Sequence, residues 1–353
     1  MIRTPPEQPQ PRRFFIDATF TVASGKNSGI ERVVCNLFRE STALCDDPQS
    51  PFAGLPSPTM VVTHGGRFYE VDDEYVRDCQ RLGSVHANVL GSTSPLYRRA
   101  VEGLCRVTRS RLLRKWLLPT SGHLGIFKLS HSLQSAQSRL AMARRKPAVE
   151  CQPGDLLLLP DAYWINRLRQ SVWPAAQRAR EQGAVVATLL YDLIPLTHPE
   201  FVGEKRRVAF LDYLLKAASQ SDLLLTISKT VGEQVTEYLS ALPPELGTES
   251  FCRDIRPFTL GAELSVSTGE VRPHVMAPFA GTPPYLMVAT FDPRKNHRYL
   301  LDAFDQLWKN GRDVRLCLVG RIGARCDDIV SRVRSHPQLG RRLFLFDDLS
   351  DAE

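Results

Sequence analysis

The chain lacks any run of about 18 apolar residues, the length a membrane-spanning helix needs. It lacks the apolar segment of a secretory leader: its first residues, MIRTPPEQPQPRR, are polar and proline-rich. Both absences point to a cytosolic protein. No two of its eight cysteines (35, 45, 79, 105, 151, 252, 317 and 326) have the C-x2-C spacing of a zinc or redox site. Cys35 and Cys317 lie inside apolar runs, so buried reduced thiols are expected rather than a disulfide framework. No internal repeat, low-complexity tract or nucleic-acid recognition motif stands out.

What is present bounds the rest. A chain of 353 residues, 43% hydrophobic, is long enough for two domains with sizeable cores. The formal charge of +7 is uneven: residues 98–146 hold nine Arg and three Lys against Glu102 alone, a local +11 that leaves −4 for the remainder. Within this excess, YRRAVEGLCRVTRSRLLRKWLLP (97–119) mixes cations with Leu113, Trp116, Leu117 and Leu118. Such a stretch suits an anionic membrane surface, or is a basic surface insertion without a partner.

Short apolar runs alternate with amphipathic stretches. FFIDA (14–18), MVVTH (60–64), DLLLL (155–159), VVATLL (185–190), DLLLTI (222–227), YLMVAT (285–290), VRLCLVG (314–320) and LFLF (343–346) read as strands. Several are apolar at nearly every position, as strands covered on both faces are. Residues 31–44, 204–219 and 299–311 read as helices between them. The pattern predicts an α/β fold of doubly wound parallel sheets. The expected organisation is a disordered N-terminus (1–13), a first Rossmann-like domain (14–263) with a basic insertion at about 70–150, a linker (264–284) rich in Pro, Gly and Ser, and a second Rossmann-like domain (285–353). The second has only two or three βα units, so it is expected to be incomplete.

Five motifs carry candidate chemistry. FTVASGKNSGIERVV (20–34) links the first strand to the first helix. Gly25 and Gly29 permit tight turns there, and helix amides favour an anion, but the loop is no G-x-G-x-x-G. VVATLLYDLIPLTHPEFV (185–202) delivers Tyr191 and Asp192 to the C-terminal end of a strand, where open α/β sheets bind ligands. Asp192 suits a substrate hydroxyl or proton transfer; His198 reads as a solvated loop residue. In DLLLTISKTVGEQV (222–235), Ser228 caps the next helix and Lys229 stands beside it as a possible anion partner. In YLMVATFDPRKNHRYLLDAF (285–304), Arg294 and Lys295 open a helix, against the helix dipole; a phosphate held among them would explain the pair. In VRLCLVGRIG (314–323), Gly320 and Gly323 allow backbone to approach a ribose or base.

Taken in order, SGIERVV, YDLIPLTHPE, TISK, LGAE (260–263), ATFDPRKNHRYLLDAF and LVGRIG resemble family 4 of the retaining glycosyltransferases, and bacterial polysaccharide mannosyltransferase-like members above all. The resemblance covers nearly the whole chain outside 70–150. It implies the GT-B fold, two Rossmann-like domains facing a cleft. It also implies transfer of a hexose, mannose in first place, from a nucleotide-sugar such as GDP-mannose to a polysaccharide or polyprenyl-linked acceptor. Lys295 and Arg294 would neutralise the donor diphosphate as it leaves, with Gly29 and Gly320 lining the donor side. Asp192 would act near the reacting sugar, and Tyr191 and Lys229 on the acceptor side. No metal, no cofactor beyond the donor and no protein nucleophile is implied. Two departures stand out. Tyr191 replaces a frequent histidine, and the family's Glu-x7-Glu donor grip would fall after residue 353, so impaired activity is expected. The other readings are a non-catalytic remnant or binding subunit, and another GT-B enzyme such as a sugar-nucleotide epimerase.

Overall fold

The computed structural model describes residues 11–24, 29–72, 75–76, 146–164, 169–261, 269–323, 325–350 and 352–353. The basic insertion, with 97–119, lies almost wholly outside the described residues. The described chain forms two compact units, one ending at Gly261 and the other running from residue 269. Among the described residues, no helix is long and apolar enough to cross a membrane.

The first unit is built on a seven-stranded sheet. Its elements are β1 (Phe14–Asp17), α1 (Thr19–Ser24), α2 (Gly29–Asp46), β2 (Pro58–His64), β3 (Arg67–Glu70), β4 (Leu156–Leu159), α3 (Arg169–Glu181), β5 (Val185–Leu190), α4 (Ile194–Thr197), α5 (Glu204–Gln220), β6 (Leu223–Thr226), α6 (Lys229–Ser240) and β7 (Ile255–Pro257). Spatial order is β3-β2-β1-β4-β5-β6-β7. The strands read from the sequence are all present, and those of the core run parallel.

The sheet is nonetheless mixed, because β3 pairs antiparallel with β2. The physical reason is a two-residue hairpin at Gly65 and Gly66, whose φ values of 56° and 71° are those of the primed turn favoured by Gly-Gly. The short β7, ending in Pro257 at the other edge, was likewise not expected from the sequence.

Alternation explains the continuous apolar runs. Phe15, Val61, Leu157, Leu159 and Val186 enter one core with Trp173 and Tyr213. Their neighbours Ile16, Met60, Val62, Leu158 and Ala187 enter a second core, with Val34 and Cys35 of α2. Successive strand residues point to opposite faces, so both faces need cover. Cys35, Cys151, Cys317 and Cys326 are buried. At the end of the expected disordered N-terminus, the Arg12 amide donates to Gly154 (2.9 Å) and Arg13 pairs with the buried Asp155 (2.5 Å).

The second unit contains α7 (Pro273–Met276), β8 (Tyr285–Val288), α8 (His297–Lys309), β9 (Leu316–Val319), α9 (Asp327–Arg334) and β10 (Leu343–Phe346). Its three strands are parallel, in the order β10-β9-β8. Helix α8 buries His297, Leu301, Phe304 and Trp308, spaced to lie on one helical face, against Ile329, Val330 and Val333 of α9. Residues 272–279, within the expected linker, belong to this unit: Arg272 pairs with Asp348 (2.8 Å) and Glu353 (2.5 Å). The architecture is α/β and Rossmann-like in both units.

Candidate functional site

In the first unit the chain leaves β1 for β2 and β3 on one side, then returns to lay β4 on the other. The C-terminal ends of β1 and β4 thus flank the point where strand order reverses, the usual ligand position in open α/β sheets. Two carboxylates lie there, Asp17 ending β1 and Asp161 just beyond β4, both fully buried. Asp17 accepts from the Thr19 hydroxyl (2.5 Å), the Thr19 amide (3.3 Å) and the Tyr163 hydroxyl (2.8 Å). Asp161 accepts from the amides of Thr21 (2.7 Å) and Ala162 (2.9 Å). Glu31, in the first turn of α2 and also buried, accepts from Ser24 (3.0 Å).

Burial, then the neighbouring charge of Asp17, pushes the Asp161 carboxyl up to about 8, although its two amide donors oppose the rise. At neutral pH Asp161 therefore keeps a proton, beside Asp17 with its three donors. Folded Asp161 holds this proton from about pH 4, where an unfolded aspartate releases it, up to about 8. Over that window the native state binds more protons than the unfolded state, so stability falls as pH rises. Denaturant unfolding at a series of pH values should show this decline, and Asp161→Asn should flatten it. An unchanged slope in the variant would place the proton elsewhere.

This acid cluster was not anticipated from the sequence. Its signal was an acid at the end of a buried strand, present twice: at Asp17 and, one residue past Pro160, at Asp161.

The residues expected from the sequence are placed as follows. Gly29 opens α2 with a φ of 40°. Tyr191 follows β5 and donates to the Pro160 carbonyl (2.7 Å), beside the acid cluster. Burial, then the charge of Asp161, raises its phenol well above the ordinary range. Asp192 accepts from the Ile194 amide (3.0 Å) and so shapes the turn into α4. Ser228 caps α6 through the Val231 amide (3.2 Å). Lys229 is exposed and pairs with Glu233 one turn along (3.7 Å), an ordinary surface arrangement. His198 stacks on Phe201.

Arg294, Lys295 and Gly320 belong to the second unit. Asp292 accepts from the Arg294 amide (3.0 Å), Nε (2.9 Å) and Nη2 (3.1 Å). Burial alone would raise the Asp292 carboxyl, but these Arg294 bonds outweigh it and hold it below the usual range. Half of the apparent charge misfit at this helix start is thus met within the loop. Lys295 is exposed and, among the described residues, makes no ion pair. Asn296, at φ 52°, caps α8 by accepting from Tyr299 (3.3 Å). His297 stacks on Phe291 with ring centres 4.1 Å apart and bonds to the Ala289 backbone.

The β8–α8 loop locks into the β9–α9 loop: Ala289 donates to Val319 (2.8 Å), Phe291 to Arg321 (2.8 Å) and Gly323 to Phe291 (3.0 Å). A Cβ on Gly320 would lie 2.0 Å from the Ala289 carbonyl oxygen, and one on Gly323 2.3 Å from that of Phe291. Both glycines are therefore required by the packing of loop against loop. Among the described residues, no group of three His, Cys, Asp or Glu side chains is placed to hold a metal ion.

No family model matches the chain. Over 182 residues, 49% of its length, it is 34% identical to two serotype-specific mannosyltransferases WbdA from Escherichia coli, and 33% identical to a third. The matched region is 21–22% of the length of those relatives. Across about half of its length, then, this two-unit Rossmann-like chain is similar to part of a bacterial mannosyltransferase.

Proposed function

We propose that the chain belongs to a retaining GT-B glycosyltransferase that moves mannose from a nucleotide-sugar, GDP-mannose in first place, to a glycan acceptor. The observation that carries this reading is the similarity to WbdA mannosyltransferases across about half of the chain. The second unit supports it with a hydrogen-bonded loop that presents Lys295, without an ion pair among the described residues, at the C-terminal end of a parallel sheet. In this reading Lys295 offsets the charge that grows on the diphosphate as the glycosidic bond breaks. Arg294, fixed by Asp292, adds to the same field, and Gly320 keeps the loop in place. The acceptor meets the first unit near Tyr191 and Lys229, Asp192 acts near the reacting sugar, and Gly29 serves the donor phosphates. The acceptor is a polysaccharide or polyprenyl-linked glycan, and the basic stretch 97–119 suits an anionic membrane surface. No metal and no protein nucleophile take part.

A thermal-shift screen of nucleotide-sugars on the whole chain tests this. GDP-mannose should raise the melting temperature more than UDP-glucose or UDP-N-acetylglucosamine, since a ligand stabilises the state that binds it. A larger rise with a UDP-sugar would overturn the donor assignment.

A further inference from the structure

The loop of Lys295 occupies one end of the second unit's sheet. At the other end, where the parallel strands begin, Asp313, Arg315, Gln338, Arg341 and Arg342 line a hollow of about 440 Å³. Arg315 immediately precedes β9 and Arg342 immediately precedes β10, so the parallel pairing brings both to the same edge.

Neutral acceptors fix both guanidiniums. Arg315 Nη1 donates to the carbonyls of Pro278 (3.0 Å) and Ala280 (2.8 Å). Arg342 donates through Nε to Gln338 Oε1 (3.0 Å) and through Nη1 to the Arg312 carbonyl (3.2 Å). Its guanidinium carbon lies 5.8 Å from the centre of the Trp308 ring. None of these partners carries charge, so both cations keep theirs. Arg341 adds a third, exposed cation. Asp313, the sole carboxylate of the lining, makes no ion pair among the described residues.

Three cations around one hollow repel one another, and the lining itself leaves them unneutralised. The N–H groups not used on carbonyls are oriented before any ligand arrives, and a guanidinium fork matches the oxygens of a phosphate. We infer that this hollow binds a phosphate-class anion at the end of the sheet opposite Lys295. The inference does not depend on the transfer reaction proposed above.

Calorimetric titration with inorganic pyrophosphate, at fixed ionic strength, tests it on the whole chain carrying Lys295→Ala and Arg294→Gln, so that the other loop loses both of its cations. Saturable binding at one site is expected. Adding Arg341→Ala should weaken it about tenfold, the worth of one charge-assisted hydrogen bond. Adding Asp313→Asn instead should tighten it about threefold by removing a repelling charge. Orthophosphate in place of pyrophosphate distinguishes a single phosphoryl group from a diphosphate as the preferred ligand. Absence of saturable binding, or binding that neither added substitution changes, would overturn the assignment. Arg315 and Arg342 are left intact because they also hold the backbone.

Discussion

If the proposed donor site is right, Lys295→Ala should abolish the rise in melting temperature expected of the unaltered chain with GDP-mannose, and should lower the proposed mannosyl transfer about 100- to 1,000-fold. The size follows from where the charge sits. Among the described residues Lys295 makes no ion pair, so its cation is not spent on a local carboxylate. It stands in a loop whose backbone is fixed by β9 on one side and by the Asn296 cap on the other. A cation held in advance where negative charge develops needs little reorganisation during the reaction.

Arg294 is a different case. Its guanidinium is bidentate to Asp292, so Arg294→Gln should reduce donor affinity less than Lys295→Ala does. Thermal shifts over a GDP-mannose series, with transfer rates at saturating donor, measure both. Equal shifts in the unaltered chain and in Lys295→Ala would remove Lys295 from the donor site.

The contrast between these two cations shows what was legible in the sequence. The R-K pair at a helix start was visible, and so was its conflict with the helix dipole. That Asp292 answers Arg294 was not read from the sequence, because the geometry of the turn at Pro293 decides that the two side chains meet. Eight strands were legible as short, largely apolar runs; those in the first unit's core are covered on both faces, whereas β8 exposes Tyr285, Leu286 and Val288. The hairpin strand β3 was not, since RFYE is short, charged at both ends and lies at an edge; the Gly-Gly turn before it was its one sign. The Asp17–Tyr163–Asp161 cluster was hidden for another reason. Asp17 precedes Asp161 and Tyr163 by well over a hundred residues, and only the reversal of strand order beside β1 brings them together. The same holds for Gly320. The sequence marks it as a loop glycine, whereas what it must accommodate is the carbonyl of Ala289, some thirty residues earlier.

That last contact yields the second large effect. Gly320→Ala should destabilise the chain by about 3 kcal/mol or more. The added Cβ would lie 2.0 Å from the Ala289 oxygen and 2.5 Å from its carbonyl carbon, so backbone has to move. In addition, φ at Gly320 is 150°, a region that is essentially reserved for glycine. Gly340→Ala separates the two causes. Gly340 also has a positive φ, 78°, but nothing lies within 4 Å of its added Cβ. There the cost should be the conformational one alone, about 1–2 kcal/mol. Denaturant unfolding of both variants measures the difference, and equal losses would show that the two loops do not depend on the close approach at Gly320. The consequence reaches the site as well. Ala289 is the residue from which the chain turns towards Arg294 and Lys295, and it also bonds to His297. Displacing its carbonyl shifts the start of that loop relative to the α8 helix that follows. Gly320→Ala should therefore weaken GDP-mannose binding even under conditions where the chain remains folded, while Gly340→Ala, at the opposite end of the sheet, should leave it unchanged.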